Sequence, residues 1–300
     1  MSIYVEILIR GSLEELWAKT QEPNLHQRWD VRFSEIDYLP RKHGEAQKFT
    51  YVTKIGAGLR IEGAGESTGE RDDSKGERTS ALKFWSDDPK SLIKIGSGYW
   101  KYVPTRDGIR FITWYDYRTR FGNLGRIADK LFFRPLMGWA TAWSFDRLRL
   151  WIEKGITPED SRQKTFTYAI SRLSVAIVWF YHGLVPKLIN RNSDELKMLR
   201  DAGIPSSELI SALSMLGGLE ICFALTILIL WKTRWPLWFT IAAMFLAIVS
   251  VAITSPSYLT GAFNPLTLNL SVAALAAVSL LTGKNLPTAT KCLRKSPEGK

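Results

Sequence analysis

Residues 172–188 read RLSVAIVWFYHGLVPKL, an apolar run that opens on an arginine and carries a histidine towards its far end. Extended to residues 167–188, it approaches the ~20 residues that cross a bilayer as a helix. Three more such runs follow, at 209–231, 235–255 and 265–282, and the last two hold no charged residue. Four in succession read as four membrane spans rather than as buried helices of a soluble globule. Upstream the pattern changes. Residues 1–165 carry 28 Lys and Arg against 23 Asp and Glu, and residues 166–300 carry 12 against 6, so the net charge of +11 divides as +5 and +6. In the second half the charges crowd into short connectors. A mean hydropathy of −0.06 with 23% charged residues therefore averages two unlike halves. That excludes a single soluble globule, a disordered chain and a collagen-like one.

The basic balance does not point to nucleic acid. In the first half acids and bases alternate without a basic run, and in the second the excess flanks apolar segments, where it reads as topology. Cys222 lies in an apolar run and Cys292 in the basic tail, which argues against a structural disulfide and gives no zinc-ligand spacing; no metal is expected. The opening MSIYVEILIRGSLEELW lacks the basic segment and unbroken apolar core of a signal peptide. Orientation follows from Lys and Arg. Arg162, Lys164, Lys232, Arg234, Lys284, Lys291, Arg294 and Lys295 fall on one side, and Lys187, Arg191, Lys197 and Arg200, mixed with Asp194, Glu195 and Asp201, on the other. The expectation is a multi-pass protein of the cell membrane with both termini cytosolic.

Ionisable residues inside apolar runs are costly and mark candidate sites. Here they are Arg172, His182 and Glu220. Counted from the outer end at ~1.5 Å per residue, His182 lies roughly 9 Å deep, Glu220 roughly 18–20 Å and Arg172 roughly 24 Å. Glu220 and Arg172 are then nearly level, and Gly217 and Gly218 would let their helices approach, so an Arg172–Glu220 pair is expected. Two readings stay open: the pair fixes helix register, or Glu220 and His182 handle a proton or a ligand headgroup.

The stretch 172–188, with Trp179, His182, Gly183 and Lys187 in a Trp-x-x-His-Gly-x-x-x-Lys arrangement, followed by a Gly-Gly-x-Glu span and two further spans, resembles the DoxX-like membrane family over residues 166–283. The resemblance implies a small four-helix bundle associated with membrane redox complexes or quinol oxidation. With one histidine in the whole membrane half, no pair of haem axial ligands is visible.

In the first half Ile3, Val5, Ile7 and Ile9 alternate with Tyr4, Glu6, Leu8 and Arg10 as a half-buried strand. Ser12 with Glu15 three residues on has capping-box spacing and starts a helix. A loop over 22–30 is expected next, then strands at about 31–39, 47–56, 59–68, 77–86, 93–103 and 108–118. Turn signals separate them at residues 42–44, 56–58, 72–76, 87–89 and 107–108. Gly96 and Gly98 suggest a bulge that would reverse which side Trp100 and Tyr102 face. A long helix, kinked at Pro135, closes the domain near 153. This order is a helix-grip arrangement, and its opening, residues 7–30, resembles the SRPBCC superfamily, the START-like or polyketide-cyclase-like fold. The resemblance implies a curved sheet gripping the last helix around an apolar cavity for a lipid, polyketide or other hydrophobic molecule. Tyr51, Phe84, Phe111, Tyr115, Trp139 and Trp143 are candidate lining residues, each of which could equally be plain core.

No catalytic constellation stands out. Gly56-Ala57-Gly58 and Gly63-Ala64-Gly65 do not complete a dinucleotide fingerprint. His26 and Asp30 form a candidate acid–base dyad, with a solvated loop the plainer reading, and Asp116 amid Arg110 and Arg118 on one strand face either orients a polar ligand or belongs to an ordinary surface ladder. The expectation is an α+β helix-grip domain at 1–155, a linker at 156–165, an all-α four-helix transmembrane bundle at 166–283 and a basic tail at 284–300. Its function is membrane-tethered binding of a hydrophobic small molecule. Two alternatives stay open: a component of a membrane redox or quinone-handling complex, with a quinone as cofactor and a redox protein as partner, and a small transporter or interaction hub.

Overall fold

The computed structural model describes residues 2–42, 44–56, 58–73 and 76–296. The alternating isoleucines and valine form β1 (Ile3–Ile9), all four buried, while Leu8 is exposed. Six more strands follow: β2 (Glu35–Tyr38), β3 (Lys48–Gly56), β4 (Leu59–Asp72), β5 (Arg78–Trp85), β6 (Ile93–Thr105) and β7 (Gly108–Thr119). They make one antiparallel sheet in the order β1-β7-β6-β5-β4-β3-β2. Between β1 and β2 lie α1 (Leu13–Gln21), capped by the Ser12 hydroxyl accepting from Glu15 N at 3.1 Å, and α2 (Pro23–Trp29). The expected loop over 22–30 is thus a helix. Pro23 occupies its first turn, where a missing N–H costs nothing, so the residue that read as a turn signal is a helix start. A helical run follows β7, made of α3 (Gly122–Ala128), a π-helical turn (Asp129–Phe133) and α4 (Arg134–Lys154). Gly155, at φ +64°, stops it. Pro135 sits at the start of α4, just past the π turn. The expected turns at His43, Ala57 and Ser74-Lys75 lie outside the described residues.

The concave face of the sheet carries the structural logic. Strand register puts Tyr51 opposite Gly63, Phe49 opposite Gly65, Phe84 opposite Gly96 and Tyr115 opposite Gly98. A Cβ on Gly63, Gly65 or Gly96 would stand 2.2–2.4 Å from the facing ring, and one on Gly98 would stand 2.4 Å from the Tyr115 Cβ. The expected bulge at Gly96 and Gly98 is absent: the ladder runs regularly past them, and its irregularity falls between Ile93 and Ile95. Trp100 and Tyr102 therefore share the inward face with both glycines, and both are buried. The core is built from β1, β6, β7, α1, α2 and α4, with Phe111 stacked on Phe145 at 4.4 Å.

Chain contacts divide the protein into two units, residues 1–161 with 287–300, and residues 162–286. The tail expected as a basic extension runs back along the first unit. Glu6 and Leu293 exchange both backbone hydrogen bonds at 2.9 Å. Thr288 N donates to Asp146 Oδ2 at 2.8 Å, and Ala289 joins the core.

The second unit holds α5 (Pro158–His182) and its π-helical continuation (Gly183–Ile189), α6 (Ser193–Asp201), α7 (Leu209–Ile229), α8 (Trp235–Thr254) and α9 (Pro265–Thr282). Four of these helical segments, 158–189, 209–229, 235–254 and 265–282, are long and apolar enough to cross a membrane. The π turn and α7 touch backbone to backbone: a Cβ on Gly183 would stand 2.6 Å from Gly217 O, and one on Gly217 2.7 Å from Gly183 O. Gly218, also expected at that contact, has nothing within 4 Å of its Cβ position. Gly183→Ala should therefore lower the thermal midpoint of the detergent-solubilised protein by forcing α5 and α7 apart, a loss of about 1–3 kcal/mol for an overpacked contact. Gly218→Ala should leave the midpoint unchanged.

Candidate functional site

The end of α2 and the chain after it bring three ionisable side chains into the grip. Asp30 is fully buried, and both its oxygens are taken by the Arg32 guanidinium, Nε to Oδ1 at 2.9 Å and Nη2 to Oδ2 at 2.5 Å. His26 Nε2 lies 3.2 Å from Oδ2. Aromatic rings wall the group in: Trp29, Phe33 and Trp100 have centroids 4.9–5.2 Å from the His26 ring, and Arg32 sits 5.5 Å over both Phe33 and Tyr115. Tyr115 Oη pairs with Thr141 Oγ1 of α4 at 2.9 Å. Burial pushes the Asp30 carboxyl up, but the Arg32 charge and the hydrogen bonds from Arg32 and His26 outweigh it and hold it well below the usual carboxylate range. Burial pushes the His26 imidazole down, only partly offset by Asp30, so the ring stays neutral near pH 7. The solvated loop expected around these residues is a buried ion pair. The helical i,i+4 spacing of His26 and Asp30 was its signal, visible only once 23–29 is read as a helix.

Of the expected lining residues, Tyr51, Phe84, Phe111 and Tyr115 share the concave face, and Trp139 does not. Phe111 is consumed by the filled core. Tyr51 lies 5.4 Å from Phe33, and burial pushes its phenol up to about 12. Phe84 lies 6.5 Å from Tyr115. Trp139 stacks on Trp143 at 6.4 Å with its own face exposed, and Trp143 packs at the core's edge under Arg147. Among the described residues the core cluster takes nothing from β2, β3 or β4, and from β5 only Phe84 at its margin. The sheet thus grips tightly at β1, β7 and β6. Towards β2 it leaves a half-buried aromatic shelf of Phe33, Tyr51 and Phe84, with the Asp30–Arg32 pair at its inner end. The ladder expected around Asp116 is also different: Arg110 pairs with Glu6 at 2.6 Å, and Asp116 with Arg134 at 2.8 Å.

In the bundle the structure separates the expected polar residues. Gly183 faces Gly217, so eleven residues back along α5 Arg172 stands level with residue 228 of the antiparallel α7, about two turns beyond Glu220. Arg172 is fully buried and donates to Ile227 O (3.1 Å), Leu230 O (2.7 Å), Thr233 O (3.0 Å) and Tyr168 Oη (2.8 Å). It caps the carbonyl end of α7, a favourable place for a cation. The expected Arg172–Glu220 pair is absent. Glu220 meets Lys187 instead, at 3.1 Å, and Lys187 also reaches Glu195 of α6 at 3.3 Å. His182 stands beside Tyr181 and makes no hydrogen bond among the described residues. Trp179, His182, Gly183 and Lys187, grouped in the sequence as one motif, thus divide into a hydrogen bond to Thr240 (3.2 Å), a ring contact, the helix crossing and the ion pair.

Residues 176–277 match the DoxX-like family. The chain is 49% identical over 182 residues, 60% of its own length and 68% of the relative's, to the uncharacterized membrane protein YndG of Bacillus subtilis (strain 168). Among solved structures it is similar to the di-domain ARO/CYC protein StfQ of the steffimycin biosynthetic pathway (17% identity, 51% of this chain and 50% of that one, TM-score 0.41). It is also similar to a STAR-related lipid transfer protein of Xanthomonas axonopodis (14% identity, 51% of this chain and 86% of that one, TM-score 0.39).

Lys187→Met should leave two carboxylates without their buried base and destabilise the bundle by about 3–5 kcal/mol, with most of the loss recovered in Lys187→Met/Glu220→Met. Denaturation in micelles reads both. In the first unit, an unfolded His26 takes up its proton near the ordinary value of 6.5 while the folded one resists, so stability falls as pH drops through that value. The depressed Asp30 adds a further loss below its unfolded value of 3.8. The thermal midpoint followed by tryptophan fluorescence should show the first loss in the wild type and a flatter profile in His26→Gln.

Proposed function

Because this chain belongs to the DoxX-like family, and joins that membrane unit to a helix-grip domain, we propose that it binds a hydrophobic small molecule on the grip's concave face while anchored in the cell membrane. The observation that carries this reading is the unequal filling of the concave face. Aromatic rings on a curved sheet are normally covered by the domain's own core, yet here Phe33, Tyr51 and Phe84 flank the core without being enclosed by it. A pocket that is largely apolar with a few fixed polar groups is what a small hydrophobic ligand needs. The Arg32–Asp30 pair supplies the polar end without offering a bare charge. The bundle serves as the anchor that keeps the domain where such molecules partition.

The reading places both termini in the cytosol. The return of residues 287–296 to the first unit requires an even number of crossings between, which suits four spans. Of the bases assigned to the outer side, Lys187 is neutralised by Glu195 and Glu220, which strengthens the inward bias of the rest. Cysteines introduced at Lys197 and Lys291 should then label from opposite faces of sealed vesicles; labelling from one face would overturn the topology.

The ligand reading is tested by cross-linking a diazirine-bearing stearic acid to the full-length protein in membranes and mapping the adducts by mass spectrometry. Adducts are expected on peptides containing Phe33, Tyr51 and Phe84, and Leu82→Trp, which fills the inward face of β5 beside Phe84, should abolish them. Adducts confined to residues 162–286 would overturn the reading.

A further inference from the structure

The helical run after β7 exposes an apolar stripe that neither the core nor the aromatic shelf uses. Leu124, Ile127, Leu131, Phe132, Leu136 and Trp139 are 47–79% exposed. On an uninterrupted α-helix, a stripe through Leu124, Ile127 and Leu131 would continue at 135 and 138. Leu136 and Trp139 each come one residue late. The π-helical turn Asp129–Phe133 takes up that one residue, so the stripe stays on one face from Leu124 to Trp139. Arg126 and Lys130, both exposed, flank the stripe, while Arg134 turns to Asp116 and Asp129. From Arg118 to Trp139 there are five bases and one acid, and that acid, Asp129, is bonded to Tyr117 and Arg134. Beside the run opens a groove of about 1550 Å³, lined among others by Lys94, Arg118, Arg126, Lys130, Arg294 and Lys295, with Asp129 its one acid among the described residues.

We infer that residues 121–139 form an interfacial helix that docks this domain on an anionic phospholipid surface. An exposed apolar stripe flanked by bases is the composition that lies in the headgroup region of a bilayer, the bases meeting phosphates while the apolar stripe enters the acyl boundary. Connectivity favours this occupant. Three residues separate the end of α4 from α5, which leads into the first span, and the chain is back in the first unit at Pro287, five residues after the last span ends. The domain is therefore held within a few residues of a bilayer at both ends, and even a weak surface affinity is realised at high effective concentration. A second copy of this chain is a poor occupant, because its basic groove would meet the same bases. The inference does not depend on the ligand reading, since the stripe and the aromatic shelf share no residue.

The test uses full-length protein in a Cys222→Ser/Cys292→Ser background, with Leu131→Cys carrying an environment-sensitive NBD label. It is reconstituted in vesicles of phosphatidylcholine alone or mixed with phosphatidylglycerol. The expected result is a blue-shifted emission protected from aqueous iodide in the phosphatidylglycerol vesicles, weaker in phosphatidylcholine and diminished by salt. A label at Lys83→Cys, on the sheet, should stay exposed throughout. Arg126→Glu/Lys130→Glu should remove the protection at 131. A label equally exposed in both vesicles would overturn the inference. So would equal protection in both vesicles and in detergent at all salt concentrations, because protein rather than lipid would then cover the stripe.

Discussion

Four glycines set what the first unit can be. Gly63, Gly65 and Gly96 lie under the rings of Tyr51, Phe49 and Phe84, and Gly98 lies against Tyr115, each with no room for a Cβ. Every glycine in a strand costs about 0.5–1 kcal/mol in backbone entropy, and the sheet carries four on one face. The return is curvature: rings that sink onto the neighbouring backbone leave space above them, and α4 can approach until Phe145 stacks on Phe111. The aromatic shelf follows from the same arrangement. Where α4 passes, at β1 and β7, the rings join the core cluster; Phe49 and Tyr51 of β3 stay outside it.

The bundle meets a different constraint, the placing of two cations among apolar helices, and solves it twice. Arg172 spends its donors on three carbonyls and a tyrosine hydroxyl at the end of α7, where backbone oxygens have no helical partner. Lys187 takes two carboxylates, one from α7 and one from α6. The division suits the side chains: a planar fork addresses several fixed carbonyls at once, and a flexible ammonium reaches between two charges. Both bases hold α5 to α7, on either side of the Gly183–Gly217 contact, so register there is fixed at three levels.

Much of this was legible. Strand alternation in β1, the N-cap at Ser12 and the four apolar runs each depend on a short local pattern, and each stands in the structure where the pattern puts it. The failures have a common physical cause, which is that they turn on register between elements. Glu220 was matched to Arg172 by depth alone, and only the Gly183–Gly217 contact shows that Arg172 lies level with the end of α7. The glycines at 96 and 98 read as a bulge because their neighbours on β5 and β7 could not be assigned from one strand. Trp139 reads as interior because a helix rich in apolar bulk ordinarily buries it, and the one-residue phase shift of a π turn leaves no mark in composition.

That phase shift bears on how the two halves cooperate. A π turn is an unfavourable interruption in a helix, and such turns gather at functional positions. Here an uninterrupted α-helix would carry Leu136 about 140° and Trp139 about 80° away from Leu131, dispersing the exposed stripe, while Phe145 and Leu148 further along still have to meet the core. The turn reconciles the two demands, one face presented outward before Trp139 and another inward after it. The tail adds the second constraint. Because Leu293 pairs with Glu6 at the outer edge of β1, the strand that would otherwise end the sheet is covered there, and the first unit is closed by residues that come after the last span. The seven strands pair among themselves, and the bridge that covers β1 is added by a segment that follows all four apolar helices in the chain.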